Sequence, residues 1–332
     1  MPGFDAIVGH DKIKEHLMNA IQMDKISHAY IMNGARGIGK KTIASVFAQA
    51  VQCEEGTANP CGKCHSCIQA ESGNQPDIIW VKHEKPASIG VDDVRLQINS
   101  DILIKPYSSR YKVYIIDEAE KMTVQAQNAL LKTIEEPPAY GIIILLTTNA
   151  DSFLPTILSR CVTLNLKPLS NKEIETYLMS EEQLPDYKAR FAAAFAQGRL
   201  GRAIDIATSS DFNELKDRVL HLLKYINEME LTEVIDAIKD AAEHKLNIED
   251  YIDFMMMWYR DVLIYKSTND ANLVIFKDEL KYIRKDATDR SYDGLNRILK
   301  AMDVAKIRLA ANVNFELTME LMMLTIKEKD NG

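Results

Sequence analysis

The sequence predicts an α/β domain built on a parallel sheet, followed by a small helical domain and then an all-helical one. Three observations carry that expectation. A glycine-rich loop, Gly34-Ala35-Arg36-Gly37-Ile38-Gly39-Lys40-Lys41-Thr42, stands between an apolar run and a helical pattern. Further apolar runs alternate with helical patterns as far as residue 166, and several end in polar or acidic residues. Beyond residue 212 strand-like alternation ceases, and apolar side chains recur at i, i+3 and i+4, as at Leu215, Val219, Leu222 and Leu223.

Bulk properties bound the class. The 332 residues and 46% hydrophobic content suffice for two or three cores. Forty Lys and Arg against 48 Asp and Glu give a net charge of -8, which excludes a chain coated in basic surface for unassisted nucleic-acid binding. No charged leader precedes an apolar signal, and no apolar run reaches the ~18 residues of a membrane span, so a cytoplasmic protein is expected.

In order, Lys12 to Met23 carries Ile13, Leu17, Ala20 and Ile21 at helical spacing, and Ser27-His28-Ala29-Tyr30-Ile31-Met32 reads as a buried parallel strand. The glycine loop and a helix from Thr42 to Val51 follow. A phosphate-binding loop needs Gly, four residues, Gly, Lys and then Ser or Thr, so that backbone N–H groups and the lysine meet phosphate while the hydroxyl ligates Mg²⁺. Gly34, Gly37, Gly39 and Lys40 meet that need, but Lys41 holds the hydroxyl position. A cation beside a divalent metal is repelled by several kcal/mol even at an effective dielectric of ~20. Thr42 is turned about 100° further round the helix and does not simply replace it.

Cys53, Cys61, Cys64 and Cys67 follow with C-x7-C-x2-C-x2-C spacing, interrupted by Gly and Pro that let the chain fold back. This suits a closed, structural Cys₄ zinc site; His65 in place of one thiolate is the alternative ligand set. Cys161 lies far off and reads as a small buried residue.

Asp77 to Val81 reads as a buried strand, Val91 to Ile98 as a helix, and Tyr111 to Ile116 as a strand ending in Asp117-Glu118. Placed after a glycine loop in a βα alternation, Asp117 is the candidate to hold Mg²⁺ and Glu118 to orient an attacking water. Met122 to Glu136 is an amphipathic helix stopped by Pro137-Pro138, and Gly141 to Asn149 is the most apolar strand. At its polar end Asn149 is placed to sense a terminal phosphate or, more simply, to form a turn. Leu154 to Cys161 leads into a last strand, Val162 to Leu166.

Together these residues resemble the AAA+ clamp-loader family of bacterial DNA polymerase III subunits. The resemblance rests on Ser27-His28-Ala29-Tyr30, the glycine loop, the four-cysteine module, Val113 to Glu118, Gln127-Asn128-Ala129-Leu130-Leu131-Lys132 with Glu135-Glu136-Pro137-Pro138, and Ser159-Arg160-Cys161. It covers roughly the first half of the chain. It implies an AAA+ P-loop domain over residues 1–166 with a zinc module at 53–67, a helical lid over 167–210 and a helical collar over 211–332.

By the same resemblance, Arg160 is expected to enter the ATP site of a neighbouring subunit, where a planar guanidinium stabilises the transferring phosphoryl group. The expected partners are gamma/tau and delta clamp-loader subunits and, through the complex, the sliding clamp and primed DNA. Three departures separate the chain from the family's gamma/tau motor: Lys41, Gly201 where a second phosphate-sensing Arg would stand with Arg202 one place late, and the length of 332 residues. They point to a subunit with weak or absent hydrolysis of its own. Two alternatives stay open: an active gamma/tau-like ATPase using Lys40, Asp117 and Glu118 with ATP and Mg²⁺, Thr42 or water completing the metal shell, and a zinc-stabilised scaffold without nucleotide. The cluster of Phe254, Met255, Met256, Met257, Trp258 and Tyr259 with Met319, Met322 and Met323 is a helical core or a collar contact.

Overall fold

Three strands are buried along nearly their whole length, and apolar apart from a terminal residue, because both faces of the sheet are covered. The computed structural model describes residues 3–83, 85–243 and 248–328. Its five strands are β1 (Ala29–Asn33), β2 (Ile78–Trp80), β3 (Lys112–Ile116), β4 (Gly141–Thr147) and β5 (Val162–Asn165), all parallel, in the order β2-β3-β4-β1-β5. The side-chain period of two splits them between two cores. Tyr30, Met32, Val113, Ile115, Ile142, Ile144 and Leu146 face one core, which includes Leu17 of α1 (Asp11–Gln22) and Phe47 of α2 (Lys40–Val51). Ile31, Tyr114, Ile116, Ile143 and Leu145 face the other.

The second core is covered by helices met later in the chain. They are α4 (Val91–Val94), which runs on as a π-helical turn over Arg95–Asn99, then α5 (Val124–Glu135) and α6 (Pro155–Leu158). The intervening α3 (His65–Glu71) belongs to the cysteine module. Tyr30 lies edge-on to Phe47, ring centroids 5.2 Å apart, and its hydroxyl accepts from Ser27 N–H, so the Ser-His-Ala-Tyr stretch is spent on packing at the start of β1.

β2 differs from the expectation of a buried strand. It is the sheet edge: Ile78 and Ile79 are half-buried and Trp80 is 37% exposed. Apolar composition alone does not distinguish an edge from an interior strand when the edge has a neighbour on one side only.

The described residues form two compact units, Met1–Gln183 with Gln197–Arg202, and Leu184–Ala196 with Ala203–Gly332. In the first, the sheet is followed by α7 (Asn171–Ser180), opened by a capping box in which Ser170 and Glu173 satisfy each other's backbone N–H. The stretch 167–210, expected as a lid, therefore contributes residues to both units.

The second unit is all-helical: α8 (Asp186–Ala196), the C-terminal part of α9 (Leu200–Thr208), α10 (Ser210–Tyr225), α11 (Leu231–Glu243), α12 (Ile248–Thr268), α13 (Leu280–Asp289), α14 (Tyr292–Ala310) and α15 (Phe315–Lys327). Phe191 and Phe195 of α8 join Phe212, Phe254 and Phe276 in an aromatic cluster with centroid separations of 5.0 to 6.4 Å. Phe254, Met255, Met257, Trp258, Tyr259, Met319, Met322 and Met323 are buried, so within this chain the Met-rich cluster is core. Trp258 Nε1 donates to Asp286 at 3.1 Å, whose carboxyl is pushed above the usual range chiefly by burial.

Phe254→Ala should remove about 3–5 kcal/mol from the helical unit, read as a lower denaturant midpoint by tryptophan fluorescence. A change under ~1 kcal/mol would contradict the central place given to this ring.

Candidate functional site

The carboxyl ends of β1, β3 and β4 lie on one edge of the sheet, where ligands bind in open α/β folds. β1 delivers the glycine loop. Gly37 and Gly39 take φ of +78° and +108°, a region costly for other residues, so the chain turns sharply and opens α2 at Lys40. Lys40 is 9% exposed, and its ammonium turns back to donate to Gly34 O and, at 3.0 Å, to Ala35 O. Burial pulls it below the ordinary lysine range and Lys41 adds repulsion, against the attraction of Glu120 and Asp117.

Lys41 closes on the acid at the end of β3: its Nζ lies 2.7 Å from Asp117 Oδ2. The carboxylate expected to hold a metal thus already holds an ammonium. Thr42 is exposed on the next helical position. Glu118 sits in the left-handed region (φ +48°) and pairs with Lys121 at 2.6 Å, while Lys121 also donates to Pro86 O at 2.8 Å. The arrangement therefore does not suit Mg²⁺: the acidic pair is neutralised by two lysines, and a divalent ion would stand beside the Lys41 ammonium.

Asn149 adopts the turn role. Its Oδ1 accepts from Asp151 N at 3.0 Å and caps the short turn Ala150–Ser152, while its own N–H donates to Thr147 Oγ1 at 3.0 Å. Sequence reasoning missed Glu120, which reaches Thr148 Oγ1 at 2.7 Å and Thr148 N at 3.3 Å. Burial pushes this carboxyl upward, but the hydrogen bonds from Thr148 and Thr147 and from the backbone outweigh it and hold it below the usual range. Its signal was the acid repeated two residues after Glu118, on the 3₁₀ turn that follows β3.

Gly201 is tied to the loop by geometry. Its N–H donates to Gly37 O at 2.8 Å, and a Cβ there would stand 3.1 Å from that oxygen and 3.3 Å from Gly37 Cα. The first turn of α9 lies backbone-to-backbone on the glycine loop, so a side chain at position 201 would press the loop away by a few tenths of an ångström. Nothing in the local sequence signals a contact across 164 positions.

Arg160 follows α6. Gln127 of α5 braces the segment before α6, accepting from Leu154 N at 2.8 Å and donating to Ser152 O at 3.1 Å. The guanidinium is paired with Glu135 at 3.1 Å and donates to Thr156 O at 3.1 Å and Ser159 Oγ at 3.2 Å. Both members of the ion pair are exposed. A pair of this kind is worth roughly 0–1 kcal/mol and exchanges readily. Cys161 beside it is half-buried rather than fully so, and burial pushes its thiol up to about 12.

The four remaining cysteines come together, all four sulfurs lying within 4.8 Å of one another and Cys61 Sγ 4.0 Å from Cys67 Sγ. A tetrahedral ion with bonds of ~2.3 Å needs sulfurs about 3.8 Å apart, so the donor set fits a four-sulfur metal centre. Cys64 N and Cys67 N donate to Cys61 Sγ and Cys64 Sγ at 3.3 and 3.4 Å. N–H groups of Lys63 and Cys64 bring the Cys61 thiol down to about 7, whereas burial raises that of Cys67. Asn59, within the module, bonds Phe4 N at 2.8 Å and Asp5 at 2.6 Å, tying it to the N-terminal segment.

Known proteins place these features in a family. A family model described as "DNA polymerase III, delta subunit" matches residues 9–170. Subunit delta' of DNA polymerase III from Bacillus subtilis is 31% identical over 321 residues, covering 96% of each chain. Subunit tau from the same organism is also 31% identical, over 82% of this chain, which spans 52% of that protein. Among solved structures, a gamma subunit-related protein of Thermotoga maritima aligns over 95% of this chain and 99% of that one, at 19% identity and a TM-score of 0.43. The end-to-end match to delta' places this chain in the family of DNA polymerase III clamp-loader subunits.

Proposed function

We propose that this chain is a delta-prime-like subunit of the bacterial clamp loader that scarcely hydrolyses ATP itself. It assembles with gamma/tau and delta subunits, and the complex opens the sliding clamp and places it on primed DNA in the cytoplasm. Among the described residues no helix is long and apolar enough to cross a membrane. The observation that carries the reading is the 2.7 Å Lys41–Asp117 contact, because the acid needed for metal chemistry is engaged by the residue that replaces the metal-binding hydroxyl.

In this reading Arg160 acts in trans on the ATP site of a neighbouring subunit. Its exposed pairing with Glu135 supports that role, since a weak surface partner is exchanged for a phosphate that accepts the guanidinium fork bidentately. Residues 1–166 serve as the nucleotide-binding-like domain, 167–210 as the lid and 211–332 as the collar. Exposed apolar side chains at one-turn spacing on α14 (Val304, Ile307) and α15 (Leu317, Leu321, Leu324) support assembly through the helical unit. Against the motor reading, in which Lys40, Asp117, Glu118 and Asn149 turn over ATP, stand the engaged acids and the turn-forming Asn149.

Arg160→Ala should lower ATP turnover of the complex reassembled with gamma/tau and delta by at least ~10³-fold at the site it serves, and leave the isolated chain unchanged. Unaltered turnover in the complex would contradict the donation.

Zn²⁺ is the proposed occupant of the four-cysteine centre, in a closed structural role. About one zinc per chain should be found by atomic emission, and Cys64→Ser should lose it and expose residues 53–67 to protease. Full protection of that variant would count against a structural metal.

A further inference from the structure

The fold implies a phosphate cradle with a divalent metal, and the residues fit the first and not the second. This disagreement deepens the proposed reading of the site and rests on it. The cradle is intact: two glycines hold left-handed backbone, Lys40 lies buried at the mouth of α2, and its ammonium rests on carbonyls of the loop itself. Those bonds are replaceable, because an ammonium has three donors that turn readily toward a phosphate oxygen.

The metal's place is taken. Three carboxylates follow β3, and each is engaged by a donor of the chain: Asp117 by Lys41 at 2.7 Å, Glu118 by Lys121 at 2.6 Å and Glu120 by Thr148 at 2.7 Å. A divalent ion ligated by one of these carboxylates would share it with that donor, and at Asp117 it would stand beside the Lys41 ammonium. A polyphosphate entering without metal meets the opposite situation. It finds two ammonium groups, Lys40 and Lys41, on consecutive residues at the N-terminus of α2, where amide dipoles also favour negative charge. Lys41 can keep its bond to Asp117 and turn a further N–H donor to a phosphate oxygen, the contact that a divalent ion makes elsewhere.

We infer that the glycine loop binds a polyphosphate chain as the free anion, with the Lys41 ammonium standing where other sites hold a divalent ion, so that binding does not need Mg²⁺. Bound in this way, the phosphates have no metal to align an attacking water, and the chain would hold the ligand without cleaving it.

The test is calorimetric titration of the full chain with ATP, in EDTA and in excess Mg²⁺. The expected result is binding in EDTA as tight as, or tighter than, that in Mg²⁺, with the order reversed in Lys41→Thr, where Mg²⁺ should tighten binding by at least ~10-fold. Circular dichroism of the variant guards against misfolding. Tripolyphosphate in place of ATP separates the two sources of the ligand: weaker binding assigns the loop to nucleotides, and equal binding to polyphosphate alone. Wild-type binding at least ~10-fold tighter with Mg²⁺, or no binding in either buffer, would overturn the inference. Neither result touches the donation by Arg160, which is scored in the assembled complex.

Discussion

The contact between the Lys41 ammonium and the Asp117 carboxylate is the constraint on which the rest of the site depends. It joins the first turn of α2 to the end of β3, two places along the sheet from β1, at the edge where a phosphate and its metal would meet. Its energy as an exposed pair is small. Its chemical consequence is larger, because it turns the carboxylate at the strand end from a bare anion into a neutral pair, a poorer ligand for a divalent ion. Around it the other acids are committed as well, Glu118 to Lys121 and Glu120 to Thr148.

Packing reinforces the electrostatics. The first turn of α9 lies on the glycine loop through Gly201 N–H and Gly37 O at 2.8 Å, an approach that any side chain at that point would crowd. Arg160 differs in kind. It sits outside the loop, its guanidinium on an exposed ion pair with Glu135 and on Thr156 O and Ser159 Oγ, with Gln127 of α5 bracing the segment before α6. Acids at the end of β3 that already hold donors, beside a guanidinium on a weak surface pair, fit the division of labour proposed for an assembly member that acts on its neighbour's site.

Much of the fold was legible because its determinants are local. Both-face burial makes β1, β3 and β4 continuous apolar runs, and helical spacing marks α1, α2 and α5. The four cysteines were legible from spacing, since short C-x2-C steps let neighbouring thiols converge on one tetrahedral ion. What escaped was non-local. The edge position of β2 depends on which strands pair, not on Ile78 or Ile79 themselves. The packing of Phe191 and Phe195 with Phe254 and Phe276 depends on which core α8 joins, and helical periodicity is silent on that. Asn149 was readable in two ways from sequence, and backbone geometry at the end of β4 gives its Oδ1 to Asp151 N.

The central claim is that this chain contributes to ATP chemistry through Arg160 and not through its own loop. Steady-state ATP turnover by the purified chain alone, beside a Lys40→Ala control, tests it most directly. The account predicts no lysine-dependent turnover. A rate near ~1 s⁻¹ that disappears with Lys40→Ala would contradict it.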